Sequence, residues 1–222
     1  MNKGYLMVRF DQTSSTAKSG NIPAVNLSLL VKPELLTVFS KLAERGFMAN
    51  IQTGCSVKEL ICNQLGIAED YLENRIQTIF LNAKAVDDLD STMVTDGSTL
   101  ALSGAMPGLV GVTMRRGGFY ASLRSQISHE KNLSASHQGD GQIVIKLFNL
   151  VLKELGPGVL QQGIRTSAQN LQDLLNRHLN ELKTGCISGE LDGEPVEINS
   201  LLEPDWDDKT VFLKVRSEKA AQ

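Results

Sequence analysis

The sequence predicts an α+β protein made of two tandem domains, each with a mixed sheet and one main helix packed across it. Two apolar blocks, about 24–103 and 143–216, are separated by a break rich in glycine and polar residues at about 104–142. Each block opens with an alternating strand pattern, contains one helical pattern and ends in short strands joined by turn residues. The 222 residues are enough for two small domains, since a domain typically holds about 100–200 residues.

The first elements of the two blocks correspond. Each block begins with a predicted strand, at 25–29 and at 143–147, in which apolar residues alternate or predominate. A hairpin-like stretch follows in each block, at 35–46 and at 150–163, and both stretches end in glycine. A second short strand is predicted near 47–52 and near 164–166.

One helix is predicted in each block. Ser56 is followed three residues later by Glu59, which is a capping box, and Gly66 closes this helix. The second helix begins after Ser167 and ends at Gly185. The apolar residues of each helix fall on a single face; they are Val57, Leu60, Ile61 and Leu65 in the first helix, and Leu171, Leu174, Leu175, Leu179 and Leu182 in the second.

The ends of the blocks agree best. Leu81 and Leu191 differ by 110 positions, and Thr99 and Thr210 differ by 111. Each block has a strand, a turn (Asn82 to Lys84, or Asp192 and Gly193) and a last strand beginning at the threonine. These matches predict five segments. They are a mobile N-terminal tail at 1–21 with an edge strand at 5–10, a first domain at 22–111, a Gly/Arg-rich linker with a short helix (119–129) at 112–142, a second, divergent domain at 143–217, and a C-terminal tail at 218–222.

Composition excludes several function classes. The formal net charge is -3, so the chain lacks the basic surface that a nucleic-acid-binding domain carries. No run approaches the roughly 18 apolar residues that would span a bilayer, and the N-terminus has no signal-peptide pattern. Three widely spaced cysteines argue against a secreted disulfide framework. We therefore expect a cytoplasmic protein that binds neither nucleic acid nor a membrane.

The order of two strands, a helix and returning strands resembles the β-grasp, or ubiquitin-like, fold. The resemblance is closest to the small sulfur carriers of molybdopterin and thiamine biosynthesis. The stretch 148–156 is similar to the first hairpin of the molybdopterin-synthase small subunit, and the segments 81–86 and 96–102 are similar to its third strand, turn and final strand. Together these resemblances cover about 150 residues, which implies two tandem β-grasp domains.

In those carriers the chemistry takes place at a C-terminal Gly-Gly, which an adenylyltransferase-type partner enzyme activates. This chain ends at 217–222 without glycine, so transfer from its own C-terminus is not implied. The internal Gly117-Gly118, preceded by Met114, Arg115 and Arg116, resembles a ubiquitin-type terminus. Cleavage after Gly118, or at Gly111, would make the chain a carrier or modifier precursor. The other reading is a glycine-rich linker between domains.

The same segment provides the candidate partner-binding or processing residues. Apolar side chains beside arginines suit a protein interface, which favours aromatic residues, methionine and arginine, although the segment could instead pack between the two domains. The candidates are Met106, Gly108, Gly111, Met114, Arg115, Arg116, Gly117, Gly118, Phe119, Tyr120 and Arg124. Leu109, Val110 and Val112 are their apolar neighbours in the same segment.

No catalytic, cofactor-binding or metal-binding residues are assigned. His129, His137 and His178 lack metal-ligand spacing. Cys55 lies before a helix N-terminus, which could lower its thiol pKa, but structural cysteines are the better interpretation. The leading hypothesis is a non-enzymatic protein-binding or adaptor module, acting on a protein partner or through self-association. The alternatives are the carrier precursor and, more weakly, an enzyme whose site contains Arg115, Arg116 and a carboxylate.

Overall fold

A computed structural model describes residues 24–124, 138–202 and 209–218 of the chain. The N-terminal tail predicted at 1–21, with its edge strand at 5–10, lies outside these residues. The predicted C-terminal tail, except for Glu218, also lies outside them.

Strands and helices alternate along most of the described chain. The strands are β1 (Ala24–Val31), β2 (Phe47–Thr53), β3 (Thr78–Leu81), β4 (Lys84–Ala85), β5 (Thr99–Ser103), β6 (Gly139–Phe148), β7 (Ile164–Ser167), β8 (Cys186–Leu191), β9 (Glu194–Pro195) and β10 (Thr210–Ser217). The helices are α1 (Pro33–Arg45), α2 (Val57–Glu59) with a π-helical continuation Leu60–Gln64, α3 (Glu69–Asn74), α4 (Gly108–Met114), α5 (Asn149–Gln162), α6 (Ala168–Arg177) and α7 (Leu179–Gly185). Short 3-10 helices cover Phe119–Arg124 and Ile198–Leu202. The fold class is thus α+β, as the sequence predicted.

Two stretches predicted to be hairpin-like are helices. The stretch 35–46 belongs to α1, which has Pro33 in its first turn and buries Leu35, Phe39 and Leu42. The stretch 150–163 belongs to α5, which includes Pro157 and ends before Gly163. The apolar residues of both stretches recur every three or four positions, which is the spacing of a helix face. Glycine and proline in the second stretch masked this pattern.

The two predicted serine caps are present, but the second predicted helix, from Ser167 to Gly185, is divided at His178 into α6 and α7. The Ser56 hydroxyl accepts a hydrogen bond from the Glu59 backbone N–H at 3.1 Å. The Ser167 hydroxyl accepts one from the Asn170 backbone N–H at 3.2 Å. Each cap satisfies a backbone donor that the first helical turn leaves without a partner. Their predicted apolar faces are buried in the core, apart from Leu179.

The chain forms two compact units that do not follow the two predicted blocks. Among the described residues, unit 1 comprises 49–155, and unit 2 combines 24–48 with 156–218. The boundaries therefore fall inside β2 and inside α5. The predicted first domain, 22–111, loses β1 and α1 to unit 2, whereas the predicted second domain, 143–217, loses β6 to unit 1.

Unit 1 contains strands in the order β4-β3-β5-β6-β2. Its central pair, β5 and β6, is parallel, with Leu100 opposite Ile145 and Leu102 opposite Leu147. All four side chains are buried. The strand predicted to open the second domain thus completes the sheet of unit 1. The sequence could not show this pairing. Strands β5 and β6 carry the same alternation of apolar residues, and a neighbouring strand with that alternation would suit either of them.

Unit 2 contains strands in the order β7-β10-β1-β8-β9. Here β1 lies parallel to β10 over eight paired positions, from Ala24 opposite Thr210 to Val31 opposite Ser217. Its other edge pairs antiparallel with β8. Helix α1 packs in this unit against α6, α7 and β10, and the Arg45 guanidinium contacts the Asp173 carboxylate at 3.2 Å.

The predicted repeat is clearest in the hairpins. Asn82 and Asp192 both have positive φ, 51° and 50°. Past each turn, the Val86 N–H donates to the Ile79 carbonyl and the Val196 N–H donates to the Gly189 carbonyl, each at 2.9 Å. The 110-residue offset therefore relates equivalent hydrogen bonds.

The strand beside each hairpin differs between the units. The Asn82 side-chain oxygen accepts from the Thr99 N–H of β5 at 2.8 Å. The Asp192 carboxylate accepts from the Asn26 N–H of β1, also at 2.8 Å. The sequence offset predicted that Thr210 would lie beside the Asp192 turn, as Thr99 lies beside the Asn82 turn. Strand β1 lies beside this hairpin instead, and β10 pairs with the other edge of β1.

We predict that Gly163→Ala strongly destabilises the protein. Gly163 has φ 111°, and an added Cβ would lie 2.4 Å from Phe212 Cζ. The left-handed backbone and the steric overlap together should lower the free energy of unfolding by about 2 kcal/mol, measured by urea denaturation. Gly158→Ala is the matched control, because a Cβ there meets nothing within 4 Å and alanine favours a helix. Equal effects of the two variants would contradict this reading.

Candidate functional site

In the segment that follows β5, the backbone at Gly111 lies very close to the backbone at Met106. Gly108, at φ 72°, is the first residue of α4. A Cβ on Gly111 would lie 1.7 Å from the Met106 carbonyl oxygen. Only glycine permits this distance, so Gly108 and Gly111 shape the start of α4.

After α4 the chain is held against unit 1 through Arg116. Its backbone N–H donates to the Gln77 carbonyl at 2.8 Å. Its guanidinium donates to the Leu72 carbonyl at 3.3 Å and to the Glu73 carboxylate at 3.2 Å. This part of the predicted linker is therefore attached to α3 and to the start of β3.

Asp87 provides the second attachment. Its carboxylate accepts from the Gly117 backbone N–H at 3.2 Å and from the Arg124 guanidinium. The Arg124 side chain is only 2% exposed. A buried cation needs a carboxylate nearby to offset its lost hydration, so Asp87 holds the glycine turn and the 3-10 helix to unit 1. The remainder of the predicted short helix, 125–129, lies outside the described residues.

The outer side of this segment carries a cluster of exposed apolar side chains. Leu109 is 75% exposed, Val110 63% and Phe119 91%. Val112 and Tyr120 are also exposed, and the rings of Phe119 and Tyr120 meet edge to face with centroids 5.2 Å apart. We call these five residues the apolar ridge. Met106 and Met114 are half-buried.

Arg115 is exposed beside the apolar ridge. Its backbone carbonyl accepts from the Gly118 N–H at 3.1 Å. Its guanidinium makes no hydrogen bond or ion pair with any residue that the structure describes. It differs in this from Arg116 and Arg124, which the sequence alone grouped with it.

Two grooves of unit 1 adjoin the segment. The first, of about 400 Å³, is lined by Lys58, Glu73, Asp87, Asp88, Leu89, Asp90 and Arg116. The second, of about 390 Å³, is lined by Glu73, Asn74, Ile76, Gln77, Asp87, Arg115, Arg116 and Gly117. The second groove does bring Arg115 and Arg116 together with carboxylates. However, Glu73 and Asp87 are engaged in the attachments described above, and neither groove is lined by a serine, cysteine or histidine.

The other candidate groups are the cysteines and histidines in the part of the chain that the structure describes. No three histidine, cysteine or acidic side chains there could hold a metal ion together. The three cysteines are free. Burial, and then the charge of Glu59, raise the pKa of the Cys55 thiol, so the expected lowering by the helix N-terminus is not seen. His178 contacts Glu181 through Nδ1 at 3.2 Å, whereas His129 and His137 lie outside the described residues.

No family of proteins, curated protein or solved structure matches this chain. Within the described ranges, none of the helices combines the length and apolar character needed to cross a bilayer.

Sequence patterns predicted the candidate segment but not the residues of unit 1 to which it is attached. All eleven candidate residues lie between β5 and the end of the 3-10 helix, yet Glu73, Gln77 and Asp87 were not among them. The signal in the sequence was the excess of cations in the segment, which requires carboxylates from elsewhere to pair with them. Nothing in the sequence indicates which carboxylates do so.

We predict that Asp87→Ala loosens the segment from unit 1. Loss of the carboxylate removes the ion pair between Asp87 and buried Arg124 and the acceptor of the Gly117 backbone N–H. Amide hydrogen exchange at Gly117 should become about fivefold faster, since a lost hydrogen bond typically costs about 1 kcal/mol. Glu59→Gln, at an exposed carboxylate of the same unit, should leave that rate unchanged. Unchanged exchange in Asp87→Ala would contradict the attachment.

Proposed function

We propose that the protein is a non-enzymatic protein-binding module and that the apolar ridge is its docking surface. One observation carries the proposal: large apolar side chains are exposed together on a segment that is attached to unit 1 by hydrogen bonds and ion pairs. Exposed apolar residues scattered singly are ordinary, but a contiguous group marks an interaction site.

The attachments support a binding role because they fix the ridge before any partner arrives. Arg116 and Asp87 together restrain the turn that joins α4 to the 3-10 helix. A preorganised surface loses less conformational entropy on binding than a free linker would. The ridge therefore favours a specific partner over nonspecific contact.

The chemistry of the partner follows from Arg115 and the ridge. An apolar surface that covers Leu109, Val112 and Phe119 would be dehydrated at its centre, and Arg115 would lie near its rim. A guanidinium at an interface pairs best with a carboxylate, which it can bind through two hydrogen bonds. The expected partner is a protein surface with apolar side chains and an acidic residue facing Arg115.

The wider proposal is that both units are β-grasp-like and that the protein acts in the cytoplasm. In unit 1, a helix follows β2 and precedes the β3–β4 hairpin, and β5 returns beside β3, an order that supports the resemblance. Unit 2 has an equivalent hairpin preceded by α6 and α7. Three free cysteines suit a reducing compartment.

We predict that Leu109→Ser combined with Phe119→Ser weakens partner binding about thirtyfold or more, since each truncated apolar anchor typically costs 1–2 kcal/mol or more. The partner would be identified as the protein that copurifies with the wild-type chain, and its affinity would then be measured with purified components by calorimetry.

Ile187→Ser is the matched control for this variant. Ile187 is 45% exposed in unit 2, so its change removes a comparable apolar side chain elsewhere. Equal affinity of the double variant and the wild type would overturn the proposal.

The carrier-precursor alternative makes a different prediction about the intact mass. It requires cleavage after Gly118 or at Gly111, yet Gly117 is bonded to Asp87 and Gly111 lies inside α4. We therefore expect mass spectrometry of the protein from its own cells to find the chain continuous through Gly111 and Gly118. A fragment ending at Gly118 or Gly111 would favour the precursor and an adenylyltransferase-type activating partner instead.

A further inference from the structure

We propose that the sheet of unit 2 binds an acidic, extended segment of a partner protein on one of its faces. We call this face the outer face of unit 2, and it is the face opposite the one that β1 and β10 bury. It belongs to unit 2, whereas the apolar ridge belongs to unit 1. The inference therefore goes beyond the proposed function and does not rest on it.

The alternation of β1 and β10 defines the two faces of this sheet. One face is buried and consists of Leu27, Leu29, Val31, Val211, Leu213 and Val215. Helix α1 packs against β10. Because successive side chains of a strand point to opposite faces, the residues between them form the outer face, and each of these is exposed or half-buried. They are Asn26, Ser28, Leu30, Phe212, Lys214 and Arg216.

Two cations follow one another along β10 on the outer face. Lys214 and Arg216 are separated by one residue, so their Cα atoms lie about 6.6 Å apart in an extended strand. On β1, Lys214 is opposite Ser28 and Arg216 is opposite Leu30, so neither has a carboxylate directly across the pair. Arg216 is exposed and makes no hydrogen bond or ion pair with the residues that the structure describes. The ammonium of Lys214 lies 5.4 Å from the centroid of the Phe212 ring.

The carboxylates of this face lie beyond β1. Glu190 of β8 is opposite Ser28, which places it two strands from Lys214, at a backbone separation of roughly 9.5 Å. Asp192, in the turn after β8, is already bonded to Asn26. The positive charge of β10 is therefore not neutralised by ion pairs within the described part of the unit.

This arrangement fits an extended segment with carboxylates at alternate positions. Side chains on one side of an extended chain repeat every second residue, so their spacing equals that of Lys214 and Arg216. Arg165 of β7 lies opposite Phe212 and adds a third cation at this side of the face. Opposite charges that match in position determine which partner is accepted and how it is oriented. Leu30, half-buried beside Arg216, provides an apolar contact for the residues between the carboxylates.

The same face is poorly suited to a single-stranded nucleic acid. Proteins that bind single strands stack the bases on exposed aromatic rings. The ring of Phe212 lies close over Gly163, where an added Cβ would be 2.4 Å from Cζ, and the ammonium of Lys214 lies over the ring. Glu190 would also repel a phosphate backbone that crossed the sheet. An acidic protein segment is therefore the favoured occupant.

Charge reversal provides the test, with a fluorescein-labelled peptide of alternating glutamate and threonine as the probe. Fluorescence anisotropy should show that the wild type binds this peptide, and that added salt weakens the binding because the charges are exposed. Lys214→Glu/Arg216→Glu should weaken binding about tenfold or more, since each reversal replaces an attraction with a repulsion. The same variant should bind a lysine–threonine peptide more tightly than the wild type does.

Arg216→Glu and Lys183→Glu form a matched pair that separates this face from net charge. Both residues are exposed in unit 2 and both changes alter the net charge equally, but Lys183 lies on α7, which packs against α1 and α6. Arg216→Glu should weaken peptide binding, whereas Lys183→Glu should not. Because Arg216 has no partner among the described residues, this single variant decides the test if the double variant fails to fold, which circular dichroism would reveal.

Three outcomes would overturn the inference. They are absence of binding by the wild type up to about millimolar concentration, equal losses in Arg216→Glu and Lys183→Glu, and tighter binding of an oligouridylate than of the acidic peptide at the same residues. Leu109→Ser/Phe119→Ser should keep the wild-type affinity for the peptide, so failure here leaves the proposed function of the ridge untouched.

Discussion

The parallel pairing of β5 with β6 is the constraint on which the candidate site depends. Parallel neighbours cannot be joined by a tight turn, and the chain needs a dozen or more residues to return to the starting end of the next strand. In this protein the connection runs from the end of β5 to Gly139, and it contains α4, the glycine turn and the 3-10 helix. The ridge is therefore part of a crossover that the sheet requires. Its attachment through Asp87 and Arg116 makes that crossover a defined surface.

Local sequence signals predicted much of the fold. Ser56 and Ser167 cap helices where expected, because a capping serine acts only on the turn that follows it. The turn pairs at Asn82 and Asp192 likewise produced the predicted hairpins. Helices α1 and α5 had a recognisable spacing of apolar residues, but it was interpreted as strand pattern because glycine ended both stretches. A short apolar run is compatible with both a helix and a strand unless the spacing of its apolar residues is counted.

Strand partnership could not be predicted, and the reason is physical. The face that a strand buries is set by its own alternation, but the choice of neighbour depends on edges formed by distant residues. Strands β1 and β6 both have alternating apolar residues, so the pattern of each suits either sheet. The same limit applied to the site. Arg115, Arg116 and Arg124 look alike in sequence, yet Arg124 is buried against Asp87, Arg116 binds Glu73, and Arg115 is left exposed.

The central position of β1 in unit 2 has a consequence for synthesis of the chain. A ribosome makes β1 among the first described residues, and its parallel neighbour β10 close to the last. Until the whole of unit 1 and most of unit 2 have been translated, Leu27, Leu29 and Val31 have no sheet to enter. Unit 1 depends on a shorter stretch of chain and can assemble earlier. The nascent strand β1 is thus an exposed apolar edge until β10 has been made, and it is the part of the described chain that cellular chaperones would most need to shield.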